Sequence, residues 1–80
     1  MIKIIGSEVT LGTANDVSNS TAVRIYNNTA ADVLITRANT GGTIGTLTLK
    51  ANTELIFVKA ADDTLAANDD VLATPVAYHY

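Results

Sequence analysis

Short runs of alternating apolar and polar residues, broken at close intervals by Gly, Asn, Asp and Ser, fill this chain from end to end. Alternation of period two marks a strand with one buried face, because successive side chains leave a strand on opposite sides. Ile2 to Ile5 is the first candidate strand, and Gly6-Ser7 breaks it. Glu8 to Leu11 alternates, with Val9 and Leu11 on one face. Gly12 to Ser20 predicts a polar loop around Asn15, Asp16 and Asn19. Thr21 to Tyr26 alternates again, with Val23 and Ile25 inward and Ala22, Arg24 and Tyr26 outward. Asn27-Asn28-Thr29 predicts a turn, since Asn tolerates left-handed backbone and bonds its own main chain. Asp32 to Arg37, with Val33 and Ile35 inward, is then expected to return as the second strand of a hairpin.

Further along, Ala38 to Gly42 predicts another turn. Thr43 to Leu49 has a parity fault: Leu47 and Leu49 share a face, Ile44 falls on the other, and Gly45 lies between. A Gly at such a break suggests a β-bulge. After Lys50-Ala51-Asn52, Thr53 to Lys59 is apolar on both faces, Leu55 and Phe57 on one and Ile56 and Val58 on the other. A strand of that kind needs cover on both sides. A loop or another subunit is expected to supply it, and the subunit is the favoured reading. Ala60 to Asp70 predicts one short helical turn capped by Asp62 or Asp63. Val71 to Tyr80 is the last strand. Pro75 has no N–H for a ladder, so it places that strand at an edge or at a bulge.

Some seven short strands with no helix of useful length predict an all-β fold. The expected form is a small antiparallel β-sandwich, immunoglobulin-like or jelly-roll-like, spanning residues 1–80 as a single domain. Eighty residues bury one modest core, and without cysteine no disulfide reinforces it. The chain is 48% hydrophobic and only 16% charged, with Thr, Asn and Ala where charge is missing. Such a surface costs less to desolvate than one of Lys and Glu, which points to contact with other proteins. The net charge is -3 with no basic stripe, so no nucleic-acid partner is expected. No apolar run is long enough for a membrane span, and the N-terminal segment reads as a strand rather than a signal peptide.

Candidate chemistry is sparse. His79 has no cysteine to join it at a metal and lies between Tyr78 and Tyr80. The pairs Asp62-Asp63 and Asp69-Asp70 lack the order of a calcium loop and fit turns and caps better. Gly41 to Gly45 is followed by neither Lys-Ser/Thr nor a helix, so a hairpin turn with a bulge is the simpler reading than a phosphate loop. No nucleophile, base and orienting group can be assembled. No enzyme activity, metal or cofactor is expected. The residues expected at an interface are Ile56, Val58, Tyr26, Tyr80 and Pro75. Tyr suits such a place because it buries area at low entropic cost and keeps a polar handle. Tyr78 shares parity with Leu72 and Val76, which suggests a core position.

Three stretches carry a resemblance: Gly6 to Val17; Thr21 to Thr29; and Gly45 to Leu49 leading to Thr53 to Lys59. In texture and strand order they resemble short β-sandwich virion proteins of tailed bacteriophages. The resemblance covers most of the chain and brings no catalytic residues. It implies a structural virion protein, foremost a capsid decoration (cement) protein that binds the major capsid protein lattice and forms homo-oligomers. A tail, neck or fibre-base component is the alternative within that class. A small carbohydrate- or receptor-binding module and an intracellular regulatory binder are the alternatives outside it.

Overall fold

The computed structural model describes residues 2–78, the last of these by its backbone alone. Within them eight strands build two antiparallel sheets, and no helix is present. The strands are β1 (Ile2–Ile4), β2 (Val9–Thr10), β3 (Ala22–Tyr26), β4 (Val33–Asn39), β5 (Gly42–Leu49), β6 (Glu54–Val58), β7 (Thr64–Ala67) and β8 (Leu72–Tyr78). The first sheet runs β1-β8-β3-β6, and β2 continues beside β8 where β1 stops. The second runs β5-β4-β7. The all-β sandwich expected from the alternation is present.

The core lies between the sheets. Val23, Ile25 and Ala73 of the first sheet share it with Val33, Ile35, Leu49 and Leu65 of the second. Leu11, Val17 and Val71, from connecting segments, complete it. Full burial of each larger side chain contributes about 1.5–3 kcal/mol. Val17 reaches the core from a loop whose residues Val17, Ser18 and Asn19 all have left-handed backbone, at φ 51°, 59° and 54°. The bond from Ser20 N–H to the Val17 carbonyl, 3.2 Å, closes that turn.

Three expectations need correction. First, β3 and β4 do not form a hairpin. They lie in different sheets, β3 between β6 and β8, β4 between β5 and β7. Asn27 is the physical reason. Its side chain is buried, donating to the carbonyls of Ala31 (2.9 Å) and Leu49 (3.0 Å) and accepting from the Thr29 N–H (3.0 Å) and hydroxyl (2.7 Å). These bonds draw the chain across the sandwich instead of back along β3. The hairpin is β4–β5, joined by Thr40-Gly41, with Gly42 at φ 117°.

Second, the segment expected to make a helical turn forms β7. Four residues gain too little from a local helix to compete with a ladder to β4. Asp63 instead caps the turn before it, bonding the Ala60 N–H at 3.2 Å. Third, Pro75 is not on an edge strand, since β8 is flanked on both sides. The interruption is in its neighbour. The Pro75 carbonyl accepts from Ile5 N–H at 3.1 Å, so its missing donor faces the gap between β1 and β2, where no ladder bond is lost. The ring is buried against Gly6, where a Cβ would come within 2.7 Å of it.

The expected bulge is present. Arg37 pairs with Gly45 and Ala38 with Thr43, leaving Ile44 as the extra residue on β5.

Candidate interaction surface

The two flanks of the sandwich differ. On the β7 side, residues 11–15 lie along the second sheet. The Leu11 carbonyl accepts from Ala67, and Asn15 and Leu65 exchange main-chain bonds of 3.0 and 2.9 Å. That segment closes the gap to the first sheet. On the opposite flank the chain passes from β5 to β6 through the short turn at 50–53, and none of the described residues covers the space between these two edge strands.

An apolar cleft of 260 Å³ opens there, lined by Ile35, Ile44, Leu47 and Phe57 among others. Register explains why core-facing residues reach solvent. Leu47 is opposite Ile35, and Leu55 opposite Ile25, so both point to the inner face. Each belongs to the last strand of its sheet, and Leu55 remains 46% exposed. The bulge turns Ile44 towards the same opening.

The outer face of the first sheet continues this apolar surface around β6. Ile4, Val76, Ala22 and Val58 are successive partners across four strands and therefore share that face. Val76 and Ala22 are buried between their neighbours, whereas Ile4 is 73% and Val58 69% exposed. Ile56, in the adjacent row opposite Arg24, is 38% exposed. The chain's own loops leave the outer face of β6 open.

The charged groups on this surface are paired within the chain. Arg24 pairs with Glu54, and its guanidinium lies 5.3 Å from the centre of the half-buried Tyr26 ring. At the inner end of the cleft Arg37 bonds Asp63 through Nε (2.9 Å) and Nη2 (2.7 Å). The Arg37 hydrogen bond holds the Asp63 carboxyl below its ordinary range. The buried Lys59 beside it donates to the carbonyls of Ala60 (3.3 Å) and Ala61 (3.1 Å), and burial lowers its ammonium pKa.

Of the residues singled out in the sequence, Ile56, Val58 and Tyr26 fall on the outer face of the first sheet. Pro75 does not join them, because its ring is inside the molecule. Leu72 and Val76 lie on the outer face by register, not in the inter-sheet core. The Tyr78 side chain, His79 and Tyr80 lie outside the described residues. Among the described residues no group of three or more acidic or His side chains is arranged to hold a metal. No helix there is long and apolar enough to cross a membrane. Alternation alone missed Ile4, Ile44, Leu47 and Leu55 as surface residues, because it gives a side chain's face but not whether its strand is central or last. No family model, curated protein or solved structure matches the chain.

Proposed function

We propose that this chain is a structural virion protein of a tailed bacteriophage, acting as a decoration protein that packs on the major capsid lattice. One observation carries the protein-binding part of this reading. Strand β6 and its open flank present Leu55, Ile56, Val58, Leu47 and Ile44 to solvent as one apolar surface. Contiguous exposed apolar surface of this kind marks a site of contact with other proteins. Its few ionic groups, Arg24 with Glu54 and Arg37 with Asp63, pair within the chain, so covering it strands no charge. The shape suits the role: a slab 33 × 30 × 18 Å can lie flat on a larger surface. The virion part rests on the sequence resemblance.

Mass spectrometry of purified particles of the encoding phage tests both parts. A copy number that follows the capsid lattice supports decoration. A number that follows the symmetry of the tail moves the protein to the tail or neck. Absence from particles overturns the virion reading.

A further inference from the structure

Resting on that protein-binding reading, we infer that the partner of the β6 edge is β6 of a second copy, paired antiparallel about a two-fold axis at Ile56.

The main chain of β6 is half used. The Thr53 carbonyl accepts from Asn27 N–H and the Lys59 N–H donates to the Thr21 carbonyl, each at 2.9 Å. Successive residues of an antiparallel strand turn their main-chain groups to alternate sides. Leu55 and Phe57 therefore turn theirs to β3, like Thr53 and Lys59. Glu54, Ile56 and Val58 turn both N–H and C=O outward, on the last strand of the sheet.

A second copy satisfies this set in one register. With Ile56 opposite Ile56 of the other copy, Glu54 falls opposite Val58 and Val58 opposite Glu54. Each of these is then a hydrogen-bonded pair, so every outward group of the strand finds a partner. Side chains agree with the register. Leu55 meets Phe57 of the other copy on the inner face, extending the core through both open flanks. The only charge on the strand, Glu54, is already answered by Arg24 and meets Val58 rather than its own counterpart.

The other sheet edges are guarded against such pairing. Strand β1 is three residues long and carries Lys3, and β2 has two residues. The outer side of β7 is covered by residues 11–15. Strand β5 is interrupted by its bulge. Charge, shortness, bulges and covering segments are the usual ways edges are kept from joining, and β6 has none of them at its centre. A five-residue edge covers less than the roughly 800 Å² per partner of a standard stable interface. The pair is therefore weak in dilute solution and fills where copies are held close together, as on a lattice.

The chain has no cysteine, so single-cysteine variants read the register directly. Across the axis, residue 56 faces itself at about 5.5 Å between Cα atoms, within disulfide range. Residue 58 lies about 14 Å from its own counterpart, beyond it. Mild oxidation of concentrated protein should cross-link Ile56→Cys at least about tenfold faster than Val58→Cys, although Val58 is the more exposed. Sedimentation adds an independent arm. Ile56→Lys places like charges face to face and should abolish the dimer. Val58→Lys faces Glu54 of the other copy and should keep or tighten it. Far-UV circular dichroism checks folding, and if Ile56→Lys unfolds, the cysteine pair decides.

Equal cross-linking at both positions, no cross-linking at 56, or a cross-link from 56 to a different virion protein overturns the pairing. Decorated particles without a 56–56 link leave the decoration reading standing and remove this one. A 56–56 dimer from a chain absent from particles does the reverse.

Discussion

Asn27 and Asp63 each hold a part of the molecule that apolar packing does not. Every polar atom of the buried Asn27 amide is used, and its main chain joins as well, donating to Thr53 and accepting from Asn52. Replacing it with Leu removes a donor to the Leu49 carbonyl, leaves the Ala31 carbonyl to the Thr29 hydroxyl alone, and takes away the acceptor of the Thr29 N–H. Asn27→Leu should therefore destabilise by about 2–4 kcal/mol in urea unfolding, in line with buried groups left unpaired. Asp63 acts through its charge. Its carboxyl titrates below the ordinary 3.8 in the folded state because Arg37 bonds it, so the unfolded chain binds the extra proton first. The stabilisation is complete above that ordinary value and is lost as pH falls through the lower folded-state value. Urea midpoints of wild type and Asp63→Asn should differ at neutral pH and converge in acid. A gap that stays constant down to about pH 2 would remove Asp63 as the source. Ser18 shows the opposite case, an exposed residue at φ 59° that gains nothing visible from its left-handed backbone. Ser18→Gly should raise stability by about 0.5–1 kcal/mol, since the relief of strain exceeds the added entropy of the unfolded chain.

Among the elements, those whose residues alternate were legible in the sequence, and their neighbours were not. Val23, Ile25, Val33 and Ile35 face inward as their parity requires, and the fault at Ile44-Gly45 is a bulge. Parity is a property of one strand, so it cannot say which strand lies alongside. That is why the passage from β3 to β4 looked like a hairpin: the Asn-rich turn signal is the same whether the chain folds back or crosses over. The decision rests on Asn27 reaching Leu49, a residue distant in sequence. Segment 60–70 reads as a helical turn for a related reason, since β7 exists only because β4 offers it a ladder. The two-faced character of β6 was visible, but its place at the end of a sheet was not. The bulge on β5 has a consequence of its own. Deleting Ile44 makes the β4–β5 ladder regular and flattens an exposed, uncharged edge. The variant should fold, with strand content near wild type by circular dichroism, and should aggregate at lower concentration in light scattering.

For the whole molecule, the balance of apolar and ionic surface fixes how an assembly built from it responds to salt. The exposed flank and outer face are lined by Ile4, Ile44, Leu47, Leu55, Ile56 and Val58, while the neighbouring charges Arg24, Glu54, Arg37 and Asp63 are taken up in pairs within one chain. Contacts made by such a surface gain little from long-range attraction between charges. Raising the salt to about 1 M shortens the screening length to about 3 Å and weakens ion pairs exposed to solvent, but leaves apolar burial intact. Sulfate goes further and strengthens burial, because it is excluded from protein surface. Under the proposed decoration role, binding of the purified chain to undecorated capsids, followed by co-sedimentation, should therefore persist in about 1 M sodium chloride and tighten in sodium sulfate at equal ionic strength. The net charge of -3 acts in the same direction, since screening reduces repulsion between copies crowded on one surface. Binding that falls away steeply between low and moderate salt would mean that charges hold the complex, and the apolar flank would then not be its contact surface.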